Sequence, residues 1–139
     1  MEELVATFLA AFENLDMPSF IACFASDATV FFPAPEPPAR FDGRAAIQAQ
    51  FSIVFARILG QAPGGPPYHR LVPEELRIEQ VSPNMGLATF HLRSAERTAR
   101  RTLVLCQHSG EWRIQHLHAS NVSVAHVALS HQGVSSNGA

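Results

Sequence analysis

The sequence contains no lysine, and all ten of its basic residues are arginines. This absence excludes any mechanism that forms a Schiff base on a lysine amine. Twelve acidic residues against ten arginines leave a formal net charge of −2. Such a balance does not provide the excess positive charge that binding to nucleic acid or to an anionic membrane surface requires. We therefore expect neither nucleic acid nor a membrane as a partner.

Cysteines are scarce as well. Cys23 and Cys106 stand far apart, and neither has a CxxC neighbour. This pattern is typical of buried free thiols in a reducing compartment. No apolar run approaches the ~18 residues that a membrane helix needs, and the N-terminus begins an acidic helix pattern without signal-peptide features. We therefore expect a cytoplasmic protein.

Cofactor motifs are also missing from the sequence. We find no glycine-rich phosphate loop, no nucleophile elbow and no metal-binding spacing above background. No cofactor and no metal are therefore expected. The length of 139 residues suits one domain, and the hydrophobic fraction of 47% is enough for a sizeable core.

Helical periodicity marks the start of the chain. In MEELVATFLAAFENLD the residues Val5, Phe8 and Phe12 recur at three- to four-residue spacing, which predicts a first helix. Asp16 is expected to cap a second, shorter helix that has Pro18 in its first turn.

A short strand is predicted at Ala28–Phe32, followed by PAPEPPARF, an exposed loop whose prolines forbid helix and sheet interior. Asp42 is the expected N-cap of a third helix. The buried stripe of that helix should consist of Ile47, Phe51, Val54, Phe55 and Ile58.

The remainder of the chain has strand patterns separated by turn sequences. The predicted strands are Tyr68–Ser82 (interrupted at Pro73), Leu87–Ser94, Arg100–His108 and Glu111–Val122. Helices followed by a run of antiparallel strands indicate the α+β class. We expect one domain at residues 1–123 and a C-terminal tail at 124–139 without assigned secondary structure.

Three segments carry a resemblance to a known superfamily. FASDATVFFP, FDGRAAIQAQF and GEWRIQHLHAS, in this order and spacing, resemble nuclear transport factor 2-like proteins. Within that superfamily the chain is most similar to the SnoaL-like and calcium/calmodulin-kinase association-domain-like branches. The resemblance implies a cystatin-like roll, in which a cone-shaped curved sheet wraps around the N-terminal helices and encloses an apolar pocket. It also implies a homodimer joined through the outer face of the sheet.

The same resemblance argues against one known chemistry. The catalytic aspartate of steroid-isomerase relatives falls on Phe32, and their oxyanion-hole tyrosine falls on Phe8. A phenyl ring can neither abstract a proton nor donate a hydrogen bond. The ligand-binding arginines of the association-domain branch fall on Leu103 and Ala119, although Arg101 lies one strand repeat from Leu103 and is available as a substitute.

The turn before the last strand decides which residues face the pocket. A two-residue loop would pair His108 with Glu111, whereas a three-residue loop with a left-handed Gly110 would pair Gln107 with Glu111. The glycine favours the three-residue loop. In that register Trp112, His116 and His118 lie on the outer face, and the pocket face carries Arg101, Leu103, Leu105, Gln115, Leu117 and Ala119.

The candidate site residues follow from these placements. The expected ligand pocket is lined by Phe8, Phe12, Phe24, Phe32, Phe55, Tyr68, Arg101, Leu103, Leu105, Gln115 and Leu117. The candidates for catalysis are His91, His116, His118 and Arg101, because histidine suits acid–base work near neutral pH. A His-x-His strand can present two ligands to zinc, but the sequence places no carboxylate or cysteine to complete such a site.

Two functions are consistent with the sequence. The first is a small-molecule-binding pocket protein, acting as a cofactor-independent isomerase, dehydratase, cyclase or hydrolase on an apolar or aromatic molecule. The alternative is a non-catalytic dimeric association or ligand-sensing module. Whether the protein is an enzyme stays open at this point, because this fold hosts many unrelated activities.

Overall fold

The computed structural model describes residues 1–33, 39–62, 64–94 and 97–123. In these ranges the elements, in chain order, are α1 (Glu2–Glu13), α2 (Met17–Ala22), β1 (Phe24–Phe31), β2 (Arg40–Asp42), α3 (Arg44–Gln61), β3 (Pro73–Ser82), β4 (Met85–Arg93), β5 (Arg97–His108) and β6 (Glu111–Ser123). The predicted tail at 124–139 and most of the predicted proline-rich loop lie outside the described residues. Within the same ranges, no helix has both the length and the apolar character needed to cross a membrane.

The six strands form one curved, open sheet in the order β2-β1-β6-β5-β4-β3. Neighbouring strands run antiparallel, except that β1 and β6 are parallel. The predicted α+β class and the cone-shaped roll are confirmed. The parallel pair arises because β1, which follows the first two helices, adds to the sheet beside the last strand of the chain.

One cross-strand row of residues lies at the centre of the core, and we call it the inner row. It runs across all six strands as Ile78, Ala88, Leu103, Leu117, Val30 and Phe41. Its four central residues are at most 2% exposed. Because side chains alternate along a strand, the residues immediately before and after them point to the opposite face.

A cluster of phenylalanines fills the space between the helices and the inner row. Phe20 is fully buried and lies 4.8 Å from Phe51 and 5.3 Å from both Phe24 and Phe55, measured between ring centroids. Each such ring contributes roughly 1.5–3 kcal/mol on burial. Phe8 and Phe12 bring α1 into the same cluster.

The second helix forms as the sequence predicts. The side chain of Asp16 accepts a hydrogen bond of 3.3 Å from the backbone N–H of Ser19, and Pro18 occupies the first turn. Proline is tolerated there because its missing N–H would have no helical partner. The predicted cap is therefore confirmed.

The start of the third helix differs from the prediction. Residues Arg40–Asp42 form a strand on the edge of β1, where a continuing loop was expected. Asp42 accepts a hydrogen bond of 2.9 Å from Arg40 Nε and does not cap α3. The N-cap is Gly43, at φ 89° and ψ 152°. Without β2, β1 would be the edge strand of the sheet, with unpaired backbone N–H and C=O groups. The three residues of β2 pair with that edge, which explains the difference.

Two strands also begin four residues or more away from their predicted starts. β1 begins at Phe24, four residues earlier than predicted, and β3 begins only at Pro73. The residues before Pro73 instead contact the end of α1. The backbone N–H of Tyr68 donates to the carbonyl of Glu13 at 2.8 Å, and the N–H of Leu71 donates to the Glu13 carboxylate at 3.0 Å.

The turn between β5 and β6 is the main correction to the sequence analysis. It is a two-residue loop that pairs His108 with Glu111, and not the expected three-residue loop. Ser109 and Gly110 have φ values of 51° and 80°. Two consecutive positive φ angles are typical of the type I′ turn that closes two-residue hairpins.

A β-bulge then changes the register of this hairpin. Leu105 pairs with Ile114, but Val104 pairs with His116, so that Gln115 has no partner on β5. One extra residue reverses the alternation of side chains. The expected common face of Trp112 and His116 is therefore wrong, because Trp112 packs against the core while His116 lies on the outer face.

Candidate functional site

Arg101 lies on the inner face of the sheet, two residues along β5 from Leu103 of the inner row. It pairs with Phe90 on β4 and with Ala119 on β6. Its Nη1 donates to three oxygens: the Arg100 carbonyl at 3.0 Å, the Ser120 carbonyl at 3.3 Å and Asn121 Oδ1 at 3.4 Å. The guanidinium is thus held by neutral acceptors.

The charge of Arg101 has no counterion in the described part of the chain. No Asp or Glu of residues 1–33, 39–62, 64–94 and 97–123 lies within ion-pair distance of its guanidinium. Burial lowers the pKa of Arg101 to about 10, and the nearby charge of Arg97 acts in the same direction. The group stays protonated at neutral pH, so a mostly buried positive charge faces the interior of the cone.

Apolar residues lie beside Arg101 in the sheet, since Phe90 and Ala119 are its cross-strand partners. Phe32 directly follows Phe31, which pairs with His118, the residue before Ala119. Phe32 is half-buried, and its ring lies 5.6 Å from Phe51 and 6.4 Å from Phe41. The inner face at this end of β5 thus combines aromatic residues with the cation of Arg101.

The structure distributes the other expected lining residues as follows. Buried in the core cluster are Phe8, Phe24, Phe55, Leu103, Leu105 and Leu117. Phe12 and Phe32 are partly buried and pack against that cluster. Tyr68 is half-buried, and its ring covers Gly65 so closely that an added Cβ there would lie 1.9 Å from it.

Gln115 does not line the pocket, contrary to the sequence analysis. Its Nε2 donates to Asp27 Oδ1 at 3.1 Å, and its Oε1 lies 3.3 Å from His108 Nε2. Both partners lie on the outer side of the sheet. The physical reason is the bulge, which leaves Gln115 unpaired and turns its side chain outward.

His116 and His118 form an aromatic cluster on the outer face. A hydrogen bond of 2.6 Å joins His116 Nδ1 and Thr29 Oγ1. The Phe31 ring lies 5.1 Å from His116 and 5.4 Å from His118. Burial lowers the pKa of His116, and the charges of His118 and Arg40 lower it further.

His91 is also on the outer face, where it pairs with Arg100. Its Nδ1 is 3.9 Å from Glu75 Oε2 and, among the described residues, has no hydrogen-bond partner. Across those same residues, no group of three histidine, cysteine, aspartate or glutamate side chains is arranged to hold a metal ion. The three candidate histidines are thus separated from Arg101 by the sheet itself.

A concave surface lies on the chain away from Arg101. It is an open groove of about 580 Å³ between the first two helices and the β5–β6 turn, with Leu4, Cys23 and Trp112 among its lining residues. Burial raises the pKa of the Cys23 thiol to about 11, so the thiol is protonated at neutral pH.

Sequence reasoning missed Phe90 and Asn121 as neighbours of Arg101. Phe90 is the partner of Arg101 in the pairing of β4 with β5. The sequence between these strands has no turn motif that would predict this register. Asn121 could have been found, since Arg101 and Ala119 were both expected on the pocket face and Asn121 is two residues further along the strand.

These features define a class of protein: a curved sheet covered by helices, with an apolar interior and a buried arginine on its inner face. The model of the SnoaL-like domain family matches residues 1–125. The chain therefore belongs to the SnoaL-like domain family. A comparison with curated protein sequences finds no match.

Solved structures share the fold at low sequence identity. A nuclear transport factor 2-like protein of unknown function from Pseudomonas putida is 20% identical, with a TM-score of 0.71 over 86% of this chain and 82% of the other. An uncharacterised cystatin-like protein from Caulobacter vibrioides is 15% identical, with a TM-score of 0.67 over 91% and 90%. A candidate calcium/calmodulin-dependent protein kinase type II association domain from Thiobacillus denitrificans is 21% identical, with a TM-score of 0.65 over 87% and 94%.

Proposed function

We propose that the protein binds a small apolar or aromatic molecule that carries an anionic group, and that Arg101 anchors this group inside the cone. One observation carries the proposal: a mostly buried arginine faces an apolar interior and has no carboxylate partner among the described residues. An unpaired buried charge is costly, and an anionic ligand would offset that cost.

A carboxylate fits the geometry of this group. Arg101 uses Nη1 for all three of its hydrogen bonds, which leaves Nε and Nη2 for a ligand. Those two nitrogens lie on one edge of the guanidinium plane and can bind the two oxygens of a carboxylate. Phe32 and Phe90 would then contact the apolar part of the molecule, as in most small-molecule sites.

We favour ligand binding without catalysis by the candidate histidines. Isomerase, dehydratase, cyclase or hydrolase chemistry requires a group that exchanges protons inside the pocket. His91, His116 and His118 lie on the outer face of the sheet. Among the described residues of β4, β5 and β6, the inward-facing positions hold no histidine, aspartate or glutamate. This arrangement supports a ligand-sensing module over an enzyme.

We also propose that two copies associate through the outer face of the sheet. The centre of this face consists of half-buried residues without net charge, including Thr102, Val104 and Leu87, and such a surface suits a partner sheet. A cytoplasmic location is part of the proposal, supported by the free thiols of Cys23 and Cys106.

Isothermal titration calorimetry with phenylacetate tests the ligand proposal. Phenylacetate combines a ring with one carboxylate, and phenylacetamide is its neutral counterpart. We expect phenylacetate to bind the wild type more tightly than phenylacetamide. Arg101→Met should weaken phenylacetate binding at least about tenfold, which corresponds to the loss of one charge-assisted contact.

Arg100→Met provides the matched control, because Arg100 is the adjacent residue on the same strand and is exposed on the opposite face. This variant should bind phenylacetate as the wild type does. Equal binding of the acid and the amide would contradict the role of Arg101. Failure of both compounds to bind any variant would contradict a pocket for aromatic ligands.

A further inference from the structure

The pairing of β1 with β6 is interrupted at one place. Residues 25–28 of β1 lie opposite the single residue Gln115 of β6, because the register of the two strands shifts there. Ser26 and Asp27, in the middle of this excursion, are exposed. Irregularities of this kind re-aim side chains and are frequent beside functional sites. The interruption therefore directs attention to the surface next to it.

A polar cleft of about 550 Å³ opens beside this irregularity, at the start of α3 and the β5–β6 turn. Its charged lining residues are Asp27, Arg44, Glu111 and Arg113. Glu111 and Arg113 form an ion pair, with 2.6 Å between Oε2 and Nη2. Since these two residues balance each other's charge, the other two decide which charged groups a ligand of the polar cleft must carry.

Arg44 is the unpaired cation of the polar cleft. In the described part of the chain its guanidinium has no carboxylate within ion-pair distance, and its single hydrogen bond runs from Nη2 to the carbonyl of Phe24 at 2.5 Å. Nε is buried and has no acceptor among the same residues. A guanidinium is rich in N–H donors, so most of the donors of Arg44 lack a protein acceptor. A ligand carboxylate that accepted from Nη1 and Nη2 would reduce this deficit.

Asp27 is the unpaired anion of the same cleft. No arginine or histidine of the described ranges lies within ion-pair distance of its carboxylate. Oδ1 accepts a hydrogen bond of 3.1 Å from Gln115 Nε2, whereas Oδ2 has no partner in those ranges. Gln115 Oε1 in turn lies 3.3 Å from His108 Nε2. The carboxylate is thus held through one oxygen, and the other is free to accept from an ammonium group.

Arg44 and Asp27 do not pair with each other in the structure, although they line one cleft. A molecule that compensates both charges must itself carry a positive and a negative group. We propose that the polar cleft binds a small zwitterion, an amino acid whose carboxylate contacts Arg44 and whose ammonium contacts Asp27. The hydroxyl groups of Ser26 and Ser109 also line the cleft and can add hydrogen bonds. This site is distinct from that of Arg101, which lies on the inner face of the sheet.

An NMR titration of the isotope-labelled protein tests the proposal with glycine, β-alanine and γ-aminobutyrate. In this series the ammonium and carboxylate groups are progressively further apart, so the preferred member reports the spacing of the two contacts. We expect saturable shift changes at Ser26 and Ser109, and a dissociation constant on the order of 1 mM for the tightest probe. The acid and the amine of the same chain length should each bind at least about tenfold more weakly, because each lacks one contact.

Arg44→Met and Asp27→Asn separate the two contacts. Arg44→Met should weaken binding of the zwitterion about tenfold and leave that of the amine unchanged. Asp27→Asn should weaken binding of the zwitterion about tenfold and leave that of the acid unchanged. A variant that only distorted the cleft would weaken every probe, so this selectivity distinguishes a ligand contact from a structural role.

Two further variants serve as controls. Arg57→Met removes an exposed arginine from the same helix as Arg44, and Arg101→Met removes the cation of the inner face. Both should bind the zwitterion as the wild type does. Phenylacetate binding, in contrast, should respond to Arg101→Met and not to Arg44→Met.

Several results would overturn the zwitterion site. One is that none of the three zwitterions binds the wild type. Another is that the zwitterion binds no more tightly than the acid or the amine, because only one of the two charges would then be used. Equal weakening of every probe by both variants would assign Arg44 and Asp27 to the structure of the cleft. Weakening by Arg101→Met would place the probe in the interior of the cone.

Discussion

The two faces of the sheet differ at every step along the same strands. On β5, Leu103 is fully buried in the inner row, whereas its neighbours Thr102 and Val104 are half-buried on the outer face. The inner row is apolar across all six strands, whereas the outer face carries charges at both edges, Arg77 and Glu79 on β3 and Arg40 and Asp42 on β2. The contrast teaches that one face is specified by packing against helices, and the other by its polarity and charge.

Arg101 is the exception that gives the comparison functional meaning. It is a charged residue on the apolar face, in register with Phe90 and Ala119. On the outer face, Arg40 and Arg93 both have carboxylate partners. Replacing a buried charge by an apolar residue of similar volume is often neutral or stabilising, and the proposed anionic ligand accounts for an arginine at this position.

The largest expected effect compares one leucine from each face. Leu103→Ala should lower the free energy of unfolding by about 3 kcal/mol, because it leaves a cavity in a rigid core. Leu87→Ala makes the same chemical change on the half-buried outer face and should cost about 1 kcal/mol, since less area is lost from burial. Urea denaturation at one fixed protein concentration measures both values.

The proposed dimer would change this comparison in a way that depends on protein concentration. If the outer face is covered in a dimer, the cost of Leu87→Ala should grow with protein concentration, and that of Leu103→Ala should not. Equal costs for the two variants at low concentration would mean that the faces do not differ in burial as described.

The shared inner face of Leu103 and Leu117 could be predicted from the sequence, although the reasoning contained an error. Leu103 and Leu117 were expected together on the inner face because a three-residue turn was assumed. The real turn has two residues, and the bulge at Gln115 shifts the register by one residue more, so that Leu103 pairs with Leu117 and not with Gln115. Each one-residue shift reverses the face of β6. Leu117, beyond both shifts, therefore lies on its expected face, whereas Trp112, on the turn side of the bulge, does not.

A bulge is hard to read from one sequence because no local residue demands it. The side chain of Gln115 is stabilised by Asp27 and His108, which are distant in sequence or across the turn. The short strand Arg40–Asp42 was missed for a similar reason, since its partner β1 supplies the pairing. Local patterns predict helices and strand faces, whereas tertiary pairing decides registers and edges.

An intermediate effect concerns the turn that controls these faces. Gly110 has a φ of +80°, and Gly60 lies in α3 with nothing within 4 Å of an added Cβ. Gly110→Ala should lower the free energy of unfolding by about 1 kcal/mol, because an L-residue is strained in the left-handed region. Gly60→Ala should raise it by about 0.5–1 kcal/mol through improved helix propensity.

The two substitutions are therefore expected to change the free energy of unfolding in opposite directions in the same urea experiment. A Gly110→Ala variant as stable as the wild type would argue that the loop adopts a different turn, and with it a different register of β5 and β6. That result would place different residues on the pocket face.

The smallest expected effect concerns pH and the outer face. Burial, together with the charges of His118 and Arg40, lowers the pKa of His116 in the folded chain below the ordinary value, which is about 6.5 for histidine. As pH falls through about 6.5, the unfolded chain takes up a proton that the folded chain resists, so the stability supplied by this group is present above that pH and is lost below it. The wild type should therefore have a urea midpoint that declines between about pH 7 and pH 5, and His116→Gln should decline less steeply over the same range. Identical slopes for the two proteins would show that His116 does not resist protonation on the outer face. The contrast between that face and the apolar interior would then rest on packing and on the exposed charges at the edges of β2 and β3 alone.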